Sequence, residues 1–102
     1  MKRDSHARLD ARSLAMHRLI AAKLAEDPSL LAVAEDNLRR WNTRHATAYL
    51  DRWRALIHLP LPKLVAAIVE ESEDMTAMRQ CSPFAGTLTE PERNRIYDEF
   101  AP

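Results

Sequence analysis

Apolar residues recur every three or four positions along most of this chain, and this spacing places them on one face of an α-helix. In the segment from about Asp4 to Glu26 the intervals are 7, 4 and 4 residues. The residues concerned are Leu9, Met16, Ile20 and Leu24. This stripe predicts a first helix of several turns.

Two further stripes follow. Asp27 followed by Pro28 is typical of an N-cap with proline in the first turn, and this pair predicts the start of a second helix. Its apolar positions are Leu30, Ala34, Leu38 and Trp41. Asn42 and Thr43 predict a break, after which a third helix carries Ala46, Leu50, Trp53 and Ile57. Because both tryptophans complete apolar stripes, we expect each to be at least half buried.

Prolines mark the end of the third helix. Pro60 and Pro62 lack the amide donor that a helix interior requires, so a corner is expected between them. Beyond the corner, helical spacing predicts a fourth helix that runs to about Gln80. Its apolar residues are Leu61, Leu64, Val65, Ile68, Met75 and Met78.

A fifth, short helix is predicted near the end of the sequence. Thr89 and Glu92 have the spacing of a capping box, and Pro91 lies early in the helix that this box would begin. Ile96 and Phe100 then lie one turn apart. We therefore predict an all-α fold, a compact bundle of about five helices in a single domain spanning residues 1–102.

The stretch "RQCSPFAGTLTEPER" joins the last two predicted helices and contains the only cysteine and the only glycine of the chain. Pro83 would stop one helix, Gly86 would supply a conformation that other residues resist, and Thr89 would start the next helix. These residues favour a structural connector pinned to the core by Phe84 and Leu88. The alternative is a recognition loop, and the sequence leaves the choice open for Ser82 to Glu92.

Composition limits the classes of protein. The 102 residues include 46% apolar residues, which favours a folded domain, and 15 basic side chains balance 15 acidic ones. A single cysteine forms no internal disulfide, and no apolar run approaches the roughly 18 residues of a membrane span. Since no export signal is recognisable at the start, we expect a cytoplasmic protein without a membrane association.

Catalytic and metal-binding patterns are weak. The four histidines lack the i, i+4 spacing of a helical metal site, and Glu70 and Asp74 lack further predicted oxygen ligands. Cys81 lies near the predicted end of a helix, where the dipole disfavours a thiolate. We therefore expect no enzymatic activity, no metal and no cofactor.

Arginines gather around aromatic residues in the region from Arg39 to Arg54. The candidates for nucleic-acid contacts there are Arg39, Arg40, Arg44 and Arg52. Arginine beside an aromatic ring suits phosphate contacts and stacking, so a small DNA-binding regulator is one hypothesis. The competing interpretation is that these side chains are solvated or paired with neighbouring acids.

A protein-binding module is the preferred interpretation. Residues 1–62 carry a net charge of +4, from 11 basic and 7 acidic residues, and residues 63–102 carry −4, from 4 and 8. This polarity, two tryptophans and two late methionines suit a helix-face interface or a homodimer. If the connector is a recognition loop, the candidates for partner contact are Arg79, Phe84, Leu88 and Arg93.

Two stretches carry a resemblance to known proteins. "EESEDMTAMRQCSPFAGTLTEPERNRIYDEF" and "MHRLIAAKLAEDPSLLAVAEDNLRRW" resemble a group of small, mostly uncharacterised bacterial proteins associated with toxin-antitoxin loci, and "SPFAGTLTEPER" is the most specific part. The resemblance implies an antitoxin-like or accessory protein that binds and regulates a partner, such as a toxin, in a bacterial cytoplasm. It assigns no catalytic residues.

Overall fold

A computed structural model describes residues 2–41 and 48–102, with side chains from residue 6 onward. These residues form six α-helices and contain no β-strand, which confirms the all-α prediction for this part of the chain. A 3-10 turn, Pro28–Leu30, leads into the second helix. The helices are α1 (Lys2–Glu26), α2 (Leu31–Trp41), α3 (Ala48–Ile57), α4 (Leu61–Ala67), α5 (Glu73–Arg79) and α6 (Glu90–Glu99).

The first helix is the element around which much of the fold is arranged. It packs against α4, α5 and α6, while α2 packs against α3. Ile20 and Leu24 bring the predicted stripe into the core, whereas Leu9, at the other end of the same stripe, is 43% exposed. The N-terminal part of α1 therefore carries an apolar side chain that the fold does not cover.

Trp53 lies at the centre of the core with no exposed surface. Its indole Nε1 donates a hydrogen bond to the Met78 carbonyl at 2.9 Å, which satisfies the only polar atom that the buried ring carries. Trp41 packs against the same core and is partly buried. The prediction that both tryptophans are at least half buried is confirmed.

The prediction of a single fourth helix up to Gln80 is wrong. The helix α4 ends at Ala67, and α5 begins after Ser72, whose Oγ accepts a hydrogen bond from the Met75 amide at 3.1 Å. The guanidinium of Arg79 stabilises the break because its Nη1 donates to the carbonyls of Ile68 and Glu70, at 3.2 and 2.8 Å. The spacing of the apolar residues does not reveal the break, since both short helices direct their apolar faces into one core.

Capping positions are where local sequence and structure agree best. Asp27 caps the 3-10 turn through a hydrogen bond from the Ser29 amide to its Oδ1. Thr89 and Glu92 form the predicted capping box, in which the Thr89 amide donates to Glu92 Oε1 at 2.7 Å and the Glu92 amide donates to Thr89 Oγ1 at 3.3 Å. The box begins α6 and so positions the side chains of that helix.

None of the described helices combines enough length with enough apolar character to cross a membrane.

Candidate functional site

A groove of about 530 Å³ is lined by residues 6–20 of α1, by residues 79–88 and by residues 93–97 of α6. Ligand-binding clefts in proteins range from roughly 300 to 1,000 Å³, so the groove has the size of a binding site. Two sets of the side chains that line it are distinguished by their exposure. We call the largely buried set the floor: His17, Arg79, Ser82, Phe84 and Leu88. We call the second set, three exposed side chains and the partly buried Arg12, the rim: Leu9, Arg12, Arg93 and Tyr97.

Aromatic packing fixes the floor to the core. Phe84 is 2% exposed and meets Trp53 edge to face, with ring centroids 5.8 Å apart. The imidazole of His17 stacks on Trp53 at 6.5 Å and meets Phe84 edge on at 6.2 Å. Such edge-to-face pairs add to the stability that burial itself provides. The floor is therefore continuous with the hydrophobic core.

A hydrogen-bonded pair, His17 and Ser82, joins α1 to the 80–88 segment. His17 Nδ1 lies 2.8 Å from the Ser13 carbonyl, and Nε2 lies 2.8 Å from Ser82 Oγ. Because a carbonyl only accepts, Nδ1 carries the proton and the Ser82 hydroxyl donates to Nε2. Ser82 Oγ also accepts the Phe84 amide at 3.2 Å.

The hydrogen bond between Ser82 Oγ and His17 Nε2 is also the contact that a serine nucleophile makes with its general base. Here, however, His17 is only 4% exposed and Ser82 Oγ already holds the turn at Phe84. Burial lowers the pKa of His17, the hydrogen bond to Ser13 opposes this shift, and the Arg79 charge acts in the same direction as burial. The neutral imidazole of His17 therefore has a structural role: its hydrogen bonds link α1 to the 80–88 segment.

Two more side chains hold the 80–88 segment. The buried amide of Asn37, on α2, donates to the carbonyls of Pro83 and Ala85 at 2.8 and 2.9 Å. Lys23, on α1, donates from Nζ to the Thr87 carbonyl at 2.9 Å. Gly86 adopts a φ of 95°, in the left-handed region that side chains disfavour. The backbone at this wall of the groove thus has a defined shape.

Lys23 also ties the segment to α6. Its Nζ donates to Glu92 Oε1 at 2.6 Å, so one ammonium bridges the Thr87 carbonyl and the capping carboxylate. The hydrogen bond from Lys23, together with the one from the Thr89 amide, lowers the pKa of Glu92 to about 2. The carboxylate is ionised at neutral pH, and α6 stays docked against α1 through this bridge.

Arg79 is one of the floor residues that line the groove. Besides the carbonyls of Ile68 and Glu70, its guanidinium contacts Thr76 Oγ1 at 3.3 Å, and the residue is 5% exposed. Its Nε has no hydrogen-bond partner among the described residues. Burial lowers the pKa of Arg79, whereas the Asp10 carboxylate acts in the opposite direction. Arg79 is therefore primarily a cap for the chain between α4 and α5.

The rim combines an aliphatic side chain, an aromatic ring and two arginines. Leu9 on α1 and Tyr97 on α6 are 43% and 42% exposed on the two sides of the groove. The Arg12 guanidinium carbon lies 4.7 Å from the centroid of the Tyr97 ring. This cation–π contact, in which a cation lies over the face of an aromatic ring, bridges α1 and α6 at the surface.

The groove is positively charged although the whole chain is neutral. Three arginines, Arg12, Arg79 and Arg93, line it against one aspartate, Asp10, which leaves a net charge of +2 with the histidines neutral. The Asp10 carboxylate accepts a hydrogen bond from Gln80 Nε2 at 3.3 Å. Among the described residues, neither Arg12 nor Arg93 forms a salt bridge.

The four residues predicted for partner contact all border this groove, but they differ in exposure. Arg79, Phe84 and Leu88 belong to the floor and are at most 7% exposed, whereas Arg93 lies on the rim and is exposed. Substitution of the three floor residues would act mainly on folding. Arg93 is the member of the set whose side chain is available to a partner.

Sequence reasoning missed the other rim residues, Leu9, Arg12 and Tyr97. Leu9 was placed on the apolar stripe of the first helix, and nothing local distinguishes it from the buried positions of that stripe. Tyr97 lies next to Ile96, which occupies the buried side of α6. The rim exists because α6 packs against α1, and only the tertiary fold brings these side chains together.

The arginines proposed for nucleic-acid contacts lie elsewhere, and several are engaged by neighbours. Arg39 pairs with Asp36, and Arg40 donates to Asn37 Oδ1. Arg52 pairs with Asp74 across helices. The remaining candidate, Arg44, lies outside the described residues.

No group of three or more histidine, cysteine, aspartate or glutamate side chains suited to a metal ion occurs in the part of the chain that the structure describes. Comparison of the chain with protein-family models, with curated proteins and with solved structures gives no match in any of the three.

Proposed function

We propose that this protein is a non-catalytic binding module, which captures a segment of a partner protein in the groove and thereby regulates that partner. The observation that carries the proposal is the exposure of Leu9 on α1 and Tyr97 on α6, which both line a groove whose floor is fixed by the core. Aromatic residues and arginine are favoured at interface centres, and the rim combines both with an aliphatic side chain.

A regulated toxin in a bacterial cytoplasm is the partner that the resemblance to antitoxin-like proteins supports. The groove adds a physical reason for a macromolecular partner, because its exposed rim offers apolar area on both sides. In this proposal, residues 80–88 form one wall of the groove. They combine the two functions considered for the Pro/Gly segment, since the buried side chains fix the fold and the exposed backbone at Ala85 and Gly86 faces the ligand.

The DNA-binding alternative has no comparable support. Three arginines of the region from Arg39 to Arg54 are paired with acids: Arg39, Arg52 and Arg54. Paired arginines contribute less to phosphate neutralisation than unpaired ones, because the bound carboxylate must first be displaced.

The test uses selection from a random peptide library displayed on phage, followed by fluorescence-anisotropy titration of the synthesised peptides. Tyr97→Ala and Leu9→Ala should each weaken binding, with about 2 kcal/mol expected for Tyr97 as a central aromatic contact. The chain supplies matched controls, because Tyr49 is 42% exposed and Leu59 is 38% exposed at other surfaces.

Tyr49→Ala and Leu59→Ala should leave affinity unchanged. All four side chains are exposed, so the four variants should melt within a few degrees of the parent, which separates lost contact from lost fold. The proposal is wrong if selection enriches no peptide, or if the selected peptides bind Tyr97→Ala and Leu9→Ala as tightly as they bind the parent.

A further inference from the structure

Neither rim arginine forms a salt bridge with another described residue, although Asp10 also lines the groove and Glu92 precedes Arg93 in the chain. Asp10, which lines the groove, is hydrogen-bonded by Gln80, and Glu92, one residue before Arg93, is held by Lys23 and the Thr89 amide. Neither carboxylate bonds Arg12 or Arg93. The guanidinium groups of Arg12 and Arg93 on the rim are therefore available to an anionic ligand.

Among the described residues, the Arg12 guanidinium contacts the Tyr97 ring and forms no hydrogen bond. Its guanidinium carbon lies over the ring, 4.7 Å from the ring centroid. The N–H donors of a guanidinium lie in its plane and match the two oxygens of a carboxylate. Tyr97 therefore restrains Arg12 and reduces the rotamer entropy that binding a carboxylate would remove.

We propose that the partner segment captured by the groove is acidic and apolar: it places a carboxylate against Arg12 and Arg93 and an apolar side chain between Leu9 and Tyr97. This inference rests on the proposed function and names the chemistry of the ligand. Local charge supports it, because the groove carries +2 in a chain of zero net charge. A carboxylate suits the site better than a nucleic-acid phosphate does, since Leu9 and Tyr97 on the same rim are aliphatic and aromatic and fit amino-acid side chains.

The same phage-selected peptides provide the test. Peptides enriched on the parent protein should contain Asp or Glu near an apolar residue. Replacement of those acids by Asn or Gln should weaken binding about tenfold or more, because a charge-assisted hydrogen bond is lost. Added salt should weaken the acidic peptide more than its amide counterpart.

Protein variants locate the interaction. Arg93→Gln and Arg12→Gln should each reduce affinity for the acidic peptide and change affinity for the amide peptide little. The matched control is Arg95→Gln, because Arg95 is exposed on α6 but does not line the groove. Arg95→Gln should bind both peptides as the parent does.

The outcomes distinguish the two proposals. Peptides that require Leu9 and Tyr97 but bind equally well with their acids replaced would overturn the acidic-segment inference and leave the binding groove intact. Peptides that bind regardless of Leu9 and Tyr97 would overturn the proposed function itself.

A phosphorylated peptide or a DNA oligonucleotide that binds at Arg93 more tightly than the acidic peptide would also overturn the inference, since it would identify phosphate as the preferred anion. A second copy as occupant would appear as a dimer that the acidic peptide dissociates, and this result would overturn it as well.

Discussion

The floor and the rim of the groove contain similar residue types and differ in what those residues contact. Both sets include an arginine, an aromatic ring and a leucine. On the floor, Arg79 caps backbone carbonyls and Phe84 packs against Trp53. On the rim, Arg93 forms no salt bridge with another described residue, and Tyr97 is 42% exposed.

This difference separates residues that maintain the fold from residues available to a partner. A buried side chain with satisfied contacts changes stability when it is truncated, whereas an exposed one changes mainly what the surface binds. We therefore expect substitutions on the floor to lower the free energy of unfolding and substitutions on the rim to lower affinity.

The largest expected effect is on the floor. Phe84→Ala should reduce the free energy of unfolding by about 3 kcal/mol, because it removes a buried aromatic ring and leaves a cavity. Chemical denaturation or a thermal melt measures the loss, with Tyr97→Ala as the rim counterpart, for which we expect a change within about 0.5 kcal/mol. If Phe84→Ala melts like the parent but no longer binds the selected peptide, the distinction between floor and rim is wrong.

A smaller effect is expected at the start of α6, the helix that carries the rim residues Arg93 and Tyr97. Thr89→Ala removes the side-chain acceptor for the Glu92 amide and should reduce the free energy of unfolding by about 1 kcal/mol. Thr89→Ser keeps the acceptor and serves as the matched control. The capping account would be contradicted if both variants were destabilised equally.

A further effect concerns acid sensitivity. The pKa of His17 is lowered in the folded state, so its contribution to stability is complete above pH 6.5, its ordinary value, and is lost as the pH falls through the folded value. His17→Gln should make the melting temperature less dependent on pH just below 6.5. A melting temperature that depends on pH in the same way for His17→Gln and the parent would contradict this assignment.

Glu92 adds a second pH range, below that of His17, in which the stability of the fold changes. Because its pKa falls from 4.5 to about 2 on folding, the stability from this carboxylate is present above pH 4.5 and is lost as the pH falls toward 2. Glu92→Gln should be less stable than the parent at neutral pH and should lose less on acidification in that range. A parallel pH profile for the two proteins would contradict this assignment.

The features predicted from the sequence were those decided by neighbouring residues. The Asp27 cap and the Thr89–Glu92 box each depend on residues within three positions, so their spacing was sufficient. The break between α4 and α5 was missed because Ser72 begins a helix inside a continuous apolar pattern. The Arg79 contacts that cap this break depend on the tertiary arrangement, because Arg79 lies 11 and 9 positions from the Ile68 and Glu70 carbonyls.

The candidate site depends on longer separations. The hydrogen bond between His17 and Ser82 joins residues 65 positions apart, and the one between Asn37 and Pro83 joins residues 46 apart. No periodicity or motif encodes such pairs. The unusual composition of residues 79–93 identified the part of the chain that forms most of the floor and one wall, but His17 of the floor and Leu9 and Arg12 of the rim come from the first helix.

The most direct test of the account is to map where the selected acidic peptide binds, by following the backbone amide signals of the labelled protein in a two-dimensional NMR titration. We predict that the shifted signals cluster at residues 9–16, 85–88 and 93–97, on both sides of the groove. Signals that shift instead along α2 and α3, around Arg39 and Arg52, would contradict the account and place the binding surface on the arginine-rich face.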